Sequence, residues 1–191
     1  MPSPGAAVGA VLLTPGAGSG GSHPALVAIE AALAPLPVER MDFPYRRAGR
    51  RAPDRAPKLV ASVVEGAGAL VASARVAPEQ LVLGGRSMGG RICSMAVAEG
   101  LPAAGLVLVA YPLHPPGRPE RLRVDHLAQL EVPCLFVSGT RDAFATPDEL
   151  TDATTVIPAA VTHVWIDGGR HELKAAEEEV ARAVSTWVAG L

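Results

Sequence analysis

One stretch, Gly84-Gly85-Arg86-Ser87-Met88-Gly89-Gly90, constrains this chain more than any other. Leu81-Val82-Leu83 before it is a short apolar run with strand character. Arg91 to Ala98 after it reads as a helix buried on most faces. Ser87 therefore belongs on a sharp strand-to-helix turn, and Gly85-Arg86-Ser87-Met88-Gly89 fits the pattern G-x-S-x-G. The glycines have a mechanical role. A side chain two residues either side of the serine would collide with the neighbouring strand and helix, and the turn holds its serine in a strained backbone conformation. The helix starting at Met88 aims free N–H groups and its positive end at whatever Ser87 attacks.

Around this turn, strand patterns alternate with helical ones. Strands are expected at Val8–Thr14, Val38–Phe43, Leu81–Leu83, Gly105–Ala110, Cys134–Ser138 and Thr162–Ile166. Helices are expected from Pro24 to about Ala34, and over Leu59–Ala74, Met88–Glu99, Pro147–Val156 and Glu172–Val188. Pro44–Pro57 reads as a loop. Tyr111–Gln129 is Pro-rich and irregular, with room for one short helix near Asp125. The alternation predicts an α/β fold: a three-layer α/β/α sandwich with a mostly parallel sheet of about six strands. A length of 191 residues suits one domain spanning 1–191.

The composition narrows the function classes. At 49% hydrophobic and 19% charged, the chain reads as globular and not disordered. A formal net charge of -2 makes no general case for nucleic acid or an anionic membrane. No apolar run approaches the roughly 18 residues of a membrane span. Met1-Pro2-Ser3-Pro4-Gly5 lacks the basic start of a signal peptide. Cys93 and Cys134 are expected as small buried thiols and not as a disulfide, which fits a cytoplasmic location. Self-association into a homo-oligomer stays open.

Ligands and reactive groups in such sheets gather at the carboxyl ends of the strands. Two loops there carry chemistry: Gly139-Thr140-Arg141-Asp142 and Asp167-Gly168-Gly169-Arg170-His171. With Ser87 they supply a serine, an aspartate and a histidine. A serine hydroxyl is a poor nucleophile until a neutral imidazole takes its proton, and a carboxylate fixes the imidazole tautomer. Ser87, His171 and Asp142 are the candidates for these roles. Two N–H donors must then stabilise the oxyanion, each worth about 3–4 kcal/mol. Met88 is the candidate for one. The loop after the first strand supplies the other, from Ala17 or, next, Gly18.

Thr14-Pro15-Gly16-Ala17-Gly18-Ser19, Gly85-Arg86-Ser87-Met88-Gly89-Gly90, Gly139-Thr140-Arg141-Asp142 and Gly168-Gly169-Arg170-His171 together resemble the α/β-hydrolase superfamily. More narrowly the chain resembles its small, lidless members related to dienelactone hydrolase. It also resembles the branch that includes testis-expressed protein 30 and the hydrolase-like domain of a chromatin-complex subunit. Asp42 to Arg47 and Gly49 to Arg55 add to that second likeness. The resemblance implies a minimal α/β-hydrolase fold and a serine hydrolase acting on a small-molecule acyl substrate, with no cofactor and no metal. Related chains usually carry His-Gly where this one has Thr14-Pro15. Two other functions stay open: acyl transfer or perhydrolysis on the same three residues, and a non-catalytic interaction module.

Several polar residues have a plainer expectation. Asp167 shares a loop with His171 and is expected to cap or salt-bridge there. Asp148 is expected to start a helix, and His23 to cap one while bordering the oxyanion loop. His114 and His126 are expected in solvent, and His163 is expected to be structural. The arginine-rich loop Arg46–Arg55 reads either as a solvated loop paired with Asp42 and Asp54 or as a surface for an anion. Arg86 is expected to pair beneath the site.

Overall fold

A computed structural model of the chain describes residues 7–191, so the reading of Met1–Gly5 lies outside the described residues. The six strands are β1 (Ala10–Thr14), β2 (Val38–Arg40), β3 (Leu81–Arg86), β4 (Gly105–Val109), β5 (Cys134–Gly139) and β6 (Val161–Ile166). They form one sheet in the order β2-β1-β3-β4-β5-β6, and every pairing is parallel. The chain winds outward from β1 to β2, then returns to build β3 to β6 on the other side. The switch point lies between β1 and β3, where such sheets open a crevice at the strand ends. Thr14 stands beside Gly85 there, so the loop after β1 starts next to the turn that carries Ser87.

The helices are α1 (Pro24–Leu33), α2 (Pro44–Arg47), α3 (Ala56–Ala74), α4 (Met88–Ala98), α5 (Pro147–Thr154) and α6 (Glu177–Val188). Successive strand residues point to opposite faces of the sheet. Val11 and Leu13 therefore join Val82, Val107 and Leu135 in a core with α1 and α6. Leu12 joins Leu83, Leu106 and Phe136 in a second core with α3, α4 and α5. Helices cover both faces, so β1, β3, β4 and β5 read as continuous apolar runs. Proline opens α1, α2, α3 and α5 in the first turn, where its missing N–H costs nothing. A reciprocal cap between Thr146 and Glu149 fixes the start of α5.

Several boundaries differ from expectation. β1 begins at Ala10, not Val8, and β3 runs on to Arg86. β2 stops at Arg40, because Met41–Phe43 turns inward to bury Met41 and Phe43, and Pro44 then opens α2 where a loop was expected. α6 begins at Glu177, not Glu172, because Leu173 and Ala175 adopt φ of 46° and 63° and break the helical path. Tyr111–Gln129 holds a 3-10 turn at Leu127–Gln129. Its two ends are tied by the Tyr111 hydroxyl, which donates to the Arg123 carbonyl at 2.9 Å. α3, at 19 residues and mean hydropathy 1.2, is long and apolar enough to cross a membrane by length and composition, contrary to the sequence expectation. Here it packs Leu59, Val60, Val63, Ala67 and Leu70 into the core. Cys93 and Cys134 are free and buried, and burial pushes both thiols up to about 12.

Candidate active site

Ser87 caps α4 at the end of β3 with φ 50° and ψ −120°, the strained conformation expected of the turn. Its N–H donates to the Val109 carbonyl at 2.8 Å, which locks the turn to the neighbouring strand. A Cβ at Gly85 would run into the Thr14 carbonyl, and one at Gly89 would lie 2.5 Å from the Pro15 oxygen. Only glycine fits on either side of the serine. The Thr14 hydroxyl, buried beneath the turn, donates to the Gly84 carbonyl at 3.0 Å. This bond anchors the start of the loop.

The structure brings the three candidate residues together. Ser87 Oγ lies 2.8 Å from His171 Nε2, and His171 Nδ1 lies 2.8 Å from Asp142 Oδ2 and 3.0 Å from Oδ1. Asp142 is buried, and its Oδ1 also accepts the Phe144 N–H at 2.8 Å. The Phe144 ring stacks on the imidazole with centroids 3.9 Å apart. The loops after β5 and β6 touch backbone to backbone. The Arg141 N–H donates to the Gly169 carbonyl at 2.8 Å, and a Cβ at Gly139 would occupy the space of the Gly169 backbone. This contact brings Asp142 up to His171. Asp167 stays exposed and, among the described residues, accepts only the Thr140 hydroxyl at 3.4 Å, and Asp148 sits in the first turn of α5.

The loop after β1 makes a tight turn closed by the Ser19 N–H donating to the Gly16 carbonyl at 3.2 Å. The Tyr45 hydroxyl donates to the Ala17 carbonyl at 2.8 Å and holds the turn from outside. The Ala17 and Gly18 N–H groups have no acceptor among the described residues. Met88 is the first residue of α4, so its N–H has no partner within the helix. Ala17, Gly18 and Ser87 line a cleft of about 390 Å³ with His23, Arg86, His171 and Glu172.

Arg86 pairs as expected, and it also lines the cleft. Its side chain is only 7% exposed. One Nη donates to the His171 carbonyl at 2.9 Å and to Glu172 Oε2 at 2.8 Å. The other Nη lies 3.0 Å from where a Cβ on Gly16 would stand. One guanidinium thus touches the loops that carry Ser87, His171 and Ala17. Glu172, Phe144 and Tyr45 went unread in the sequence. Glu172 had a local signal, since it follows His171 directly. The other two had none.

The remaining histidines divide. His23 Nδ1 caps α1 by accepting the Ala25 N–H at 3.2 Å and also faces the cleft. Burial lowers its pKa, and the nearby Arg86 charge adds to that. His114 is buried and not in solvent, with Nδ1 2.9 Å from the Pro115 carbonyl and Nε2 3.4 Å from Glu149. His126 is also half-buried, with Nε2 2.7 Å from Ser94 Oγ, and burial lowers its pKa to about 4. His163 is structural, stacked between Phe136 and Trp165. In the arginine-rich loop only Asp54 is paired, with Arg50 at 2.9 Å and Lys58 at 3.3 Å, while Asp42 accepts the Gly21 N–H instead. Among the described residues no group of His, Cys, Asp and Glu is arranged to hold a metal.

The sequence model of the alpha/beta hydrolase domain family matches residues 7–187. Solved structures show the same architecture. A protein of Xanthomonas campestris pv. campestris assigned to the α/β superfamily of hydrolases is 23% identical, with a TM-score of 0.71 over 96% of this chain and 99% of that one. Dienelactone hydrolase from Anabaena variabilis is 22% identical, with a TM-score of 0.74 over 96% and 87%. The esterase domain of a Rhodothermus marinus protein is 14% identical, with a TM-score of 0.73 over 96% and 88%. At these identities the likeness is one of fold.

Proposed function

The chain belongs to the α/β hydrolase family, and we propose that it is a serine hydrolase cleaving an ester or related acyl bond of a small molecule. The observation that carries this reading is the unbroken hydrogen-bonded line from Ser87 Oγ through His171 to Asp142, with 2.8 Å at each end. Asp142 holds the Nδ1–H tautomer, so Nε2 is free to take the Ser87 proton as Oγ attacks the acyl carbon. The oxyanion falls to the Met88 N–H and to the Ala17 or Gly18 N–H. His171 then protonates the leaving group, and water releases the acyl chain by the same route. The steps need no cofactor.

An active-site-directed fluorophosphonate tests the reading. It should attach to Ser87, and Ser87→Ala should abolish attachment without unfolding the chain. A folded wild-type chain that resists the probe would overturn the reading and favour an interaction module. Acyl transfer would use the same acyl-Ser87 intermediate, and product analysis with competing acceptors separates it from hydrolysis.

A further inference from the structure

The cleft beside Ser87 is built almost without apolar side chains. Ala17 is the largest apolar residue lining it. A long acyl chain would find no surface there on which to leave water, since its burial needs apolar atoms around it. The two charged side chains of the wall answer each other: Arg86 Nη2 meets Glu172 Oε2 at 2.8 Å. That Nη also holds the His171 carbonyl, while Arg86 Nε is buried without a partner. With its cation and its anion paired, the wall makes no case for an ionic ligand. The Ala17 and Gly18 N–H groups are free, and the oxyanion takes one of them. One further donor stands on this wall, on a side chain.

That side chain is His23. Its Nδ1 accepts the Ala25 N–H at 3.2 Å, which it can do only while it carries no proton. A neutral imidazole with a bare Nδ1 holds its proton on Nε2. Burial lowers the pKa of the ring and Arg86 adds to this, against the pull of Glu172 and Glu177, so the neutral form persists at pH 7. Nε2 lies on the edge of the ring turned away from the α1 cap and has no partner among the described residues. The cap therefore orients the ring from one side, and no internal acceptor competes for the N–H on the other.

We propose that His23 is a substrate-binding residue whose Nε2–H donates to an uncharged oxygen carried near the scissile bond of a short ester. This rests on the serine hydrolase reading. The oxygen can belong to the acyl part or to the alcohol part, since both lie beside Ser87 during attack. His23 exchanges no proton, and the bonds made and broken stay with Ser87 and His171. A methyl group in place of that oxygen leaves Nε2–H without an acceptor when the cleft is filled. The site thereby tells a hydroxylated ester from its hydrocarbon twin.

The test uses two pairs of esters that differ only by hydroxyl against methyl. Methyl 3-hydroxybutyrate against methyl 3-methylbutyrate probes the acyl side, and 2-hydroxyethyl acetate against propyl acetate probes the alcohol side. Each kcat/KM is divided by the hydroxide-catalysed rate of the same ester, which removes intrinsic reactivity. The wild-type chain should favour the hydroxyl member of at least one pair by about 3- to 10-fold, the worth of one hydrogen bond. His23→Asn keeps a side chain able to cap α1 but loses the Nε2 donor. It should bring that ratio to within about twofold of one. Equal values within both pairs in the wild-type chain, or a preference that survives in folded His23→Asn, overturns the proposal. If no ester is turned over, the same pairs serve as competitors of fluorophosphonate labelling at Ser87. Stronger protection by a hydroxyl member then supports the proposal, and equal protection within both pairs overturns it. Labelling itself reports separately on the hydrolase reading, and a folded chain that the probe does not label removes both.

Discussion

The guanidinium of Arg86 holds the backbone carbonyl of His171 at 2.9 Å, so the residue before Ser87 positions the loop that carries His171, the proposed base. The same Nη group binds Glu172 at 2.8 Å, and the other Nη packs on Gly16.

Replacing this clamp should loosen the His171 loop without disturbing the core. Arg86→Met should lower kcat for a small neutral ester about 10- to 100-fold, the cost of misplacing a reacting group by roughly an ångström. KM should change little. Arg86→Lys should recover part of the loss, since an ammonium reaches either the carbonyl or Glu172 but lacks the fork. Steady-state kinetics beside a thermal melt decides the matter: a kcat within twofold of wild type in Arg86→Met would sink the idea.

Choice of acid is the second prediction. Asp142→Asn should reduce fluorophosphonate labelling of Ser87 by roughly 10⁴-fold through the wrong imidazole tautomer. His171→Ala should cost several orders of magnitude, because the three residues act as a unit. Asp167→Asn, at an exposed carboxylate, should label like wild type. Normal labelling of Asp142→Asn with loss in Asp167→Asn would reverse the assignment.

Gly139→Ala should damage both stability and rate. Its new methyl meets the Gly169 backbone, which cannot swing aside as a side chain would. Overpacking of this kind costs about 1–3 kcal/mol. The loops after β5 and β6 would separate, taking Asp142 away from His171. Urea unfolding and kcat should fall together, and an unchanged midpoint with full turnover would contradict the account.

Stability should also depend on pH through His126. Its pKa is about 4 in the fold against 6.5 for a free imidazole, because burial disfavours the cation and Arg91 repels it. The unfolded chain therefore binds the proton first as pH falls, and the fold loses stability between pH 6.5 and about 4. His163, lowered in the same direction by burial, adds to the loss. Urea midpoints at pH 7, 5.5 and 4.5 should decline, and His126→Gln should flatten that decline. A variant with the same slope as wild type would assign the loss elsewhere.

The reach of the sequence follows from how local each feature is. The turn at Ser87 was legible because its glycines, strand and helix are contiguous. Asp142 and His171 were legible because parallel strands end on one side, so residues just past those ends must converge. His114 and His126 were misread as solvent-exposed, because their burial depends on how Tyr111–Gln129 folds back, and no periodic pattern reports that path. The same holds for Tyr45 reaching Ala17 across 28 residues and for Arg86 reaching His171 across 85. These are contacts between distant segments, set by the packing of loops and not by local propensity.

On the proposed mechanism, the order of the strands also sets when Ser87 becomes reactive. Ser87 stands on β3 in the middle of the sheet, while His171 follows β6, the edge strand and the last one reached along the chain. A growing polypeptide therefore carries an inert serine until that final edge docks. Acylation by that mechanism needs the finished sheet, which would make reactivity at Ser87 a readout of completed folding.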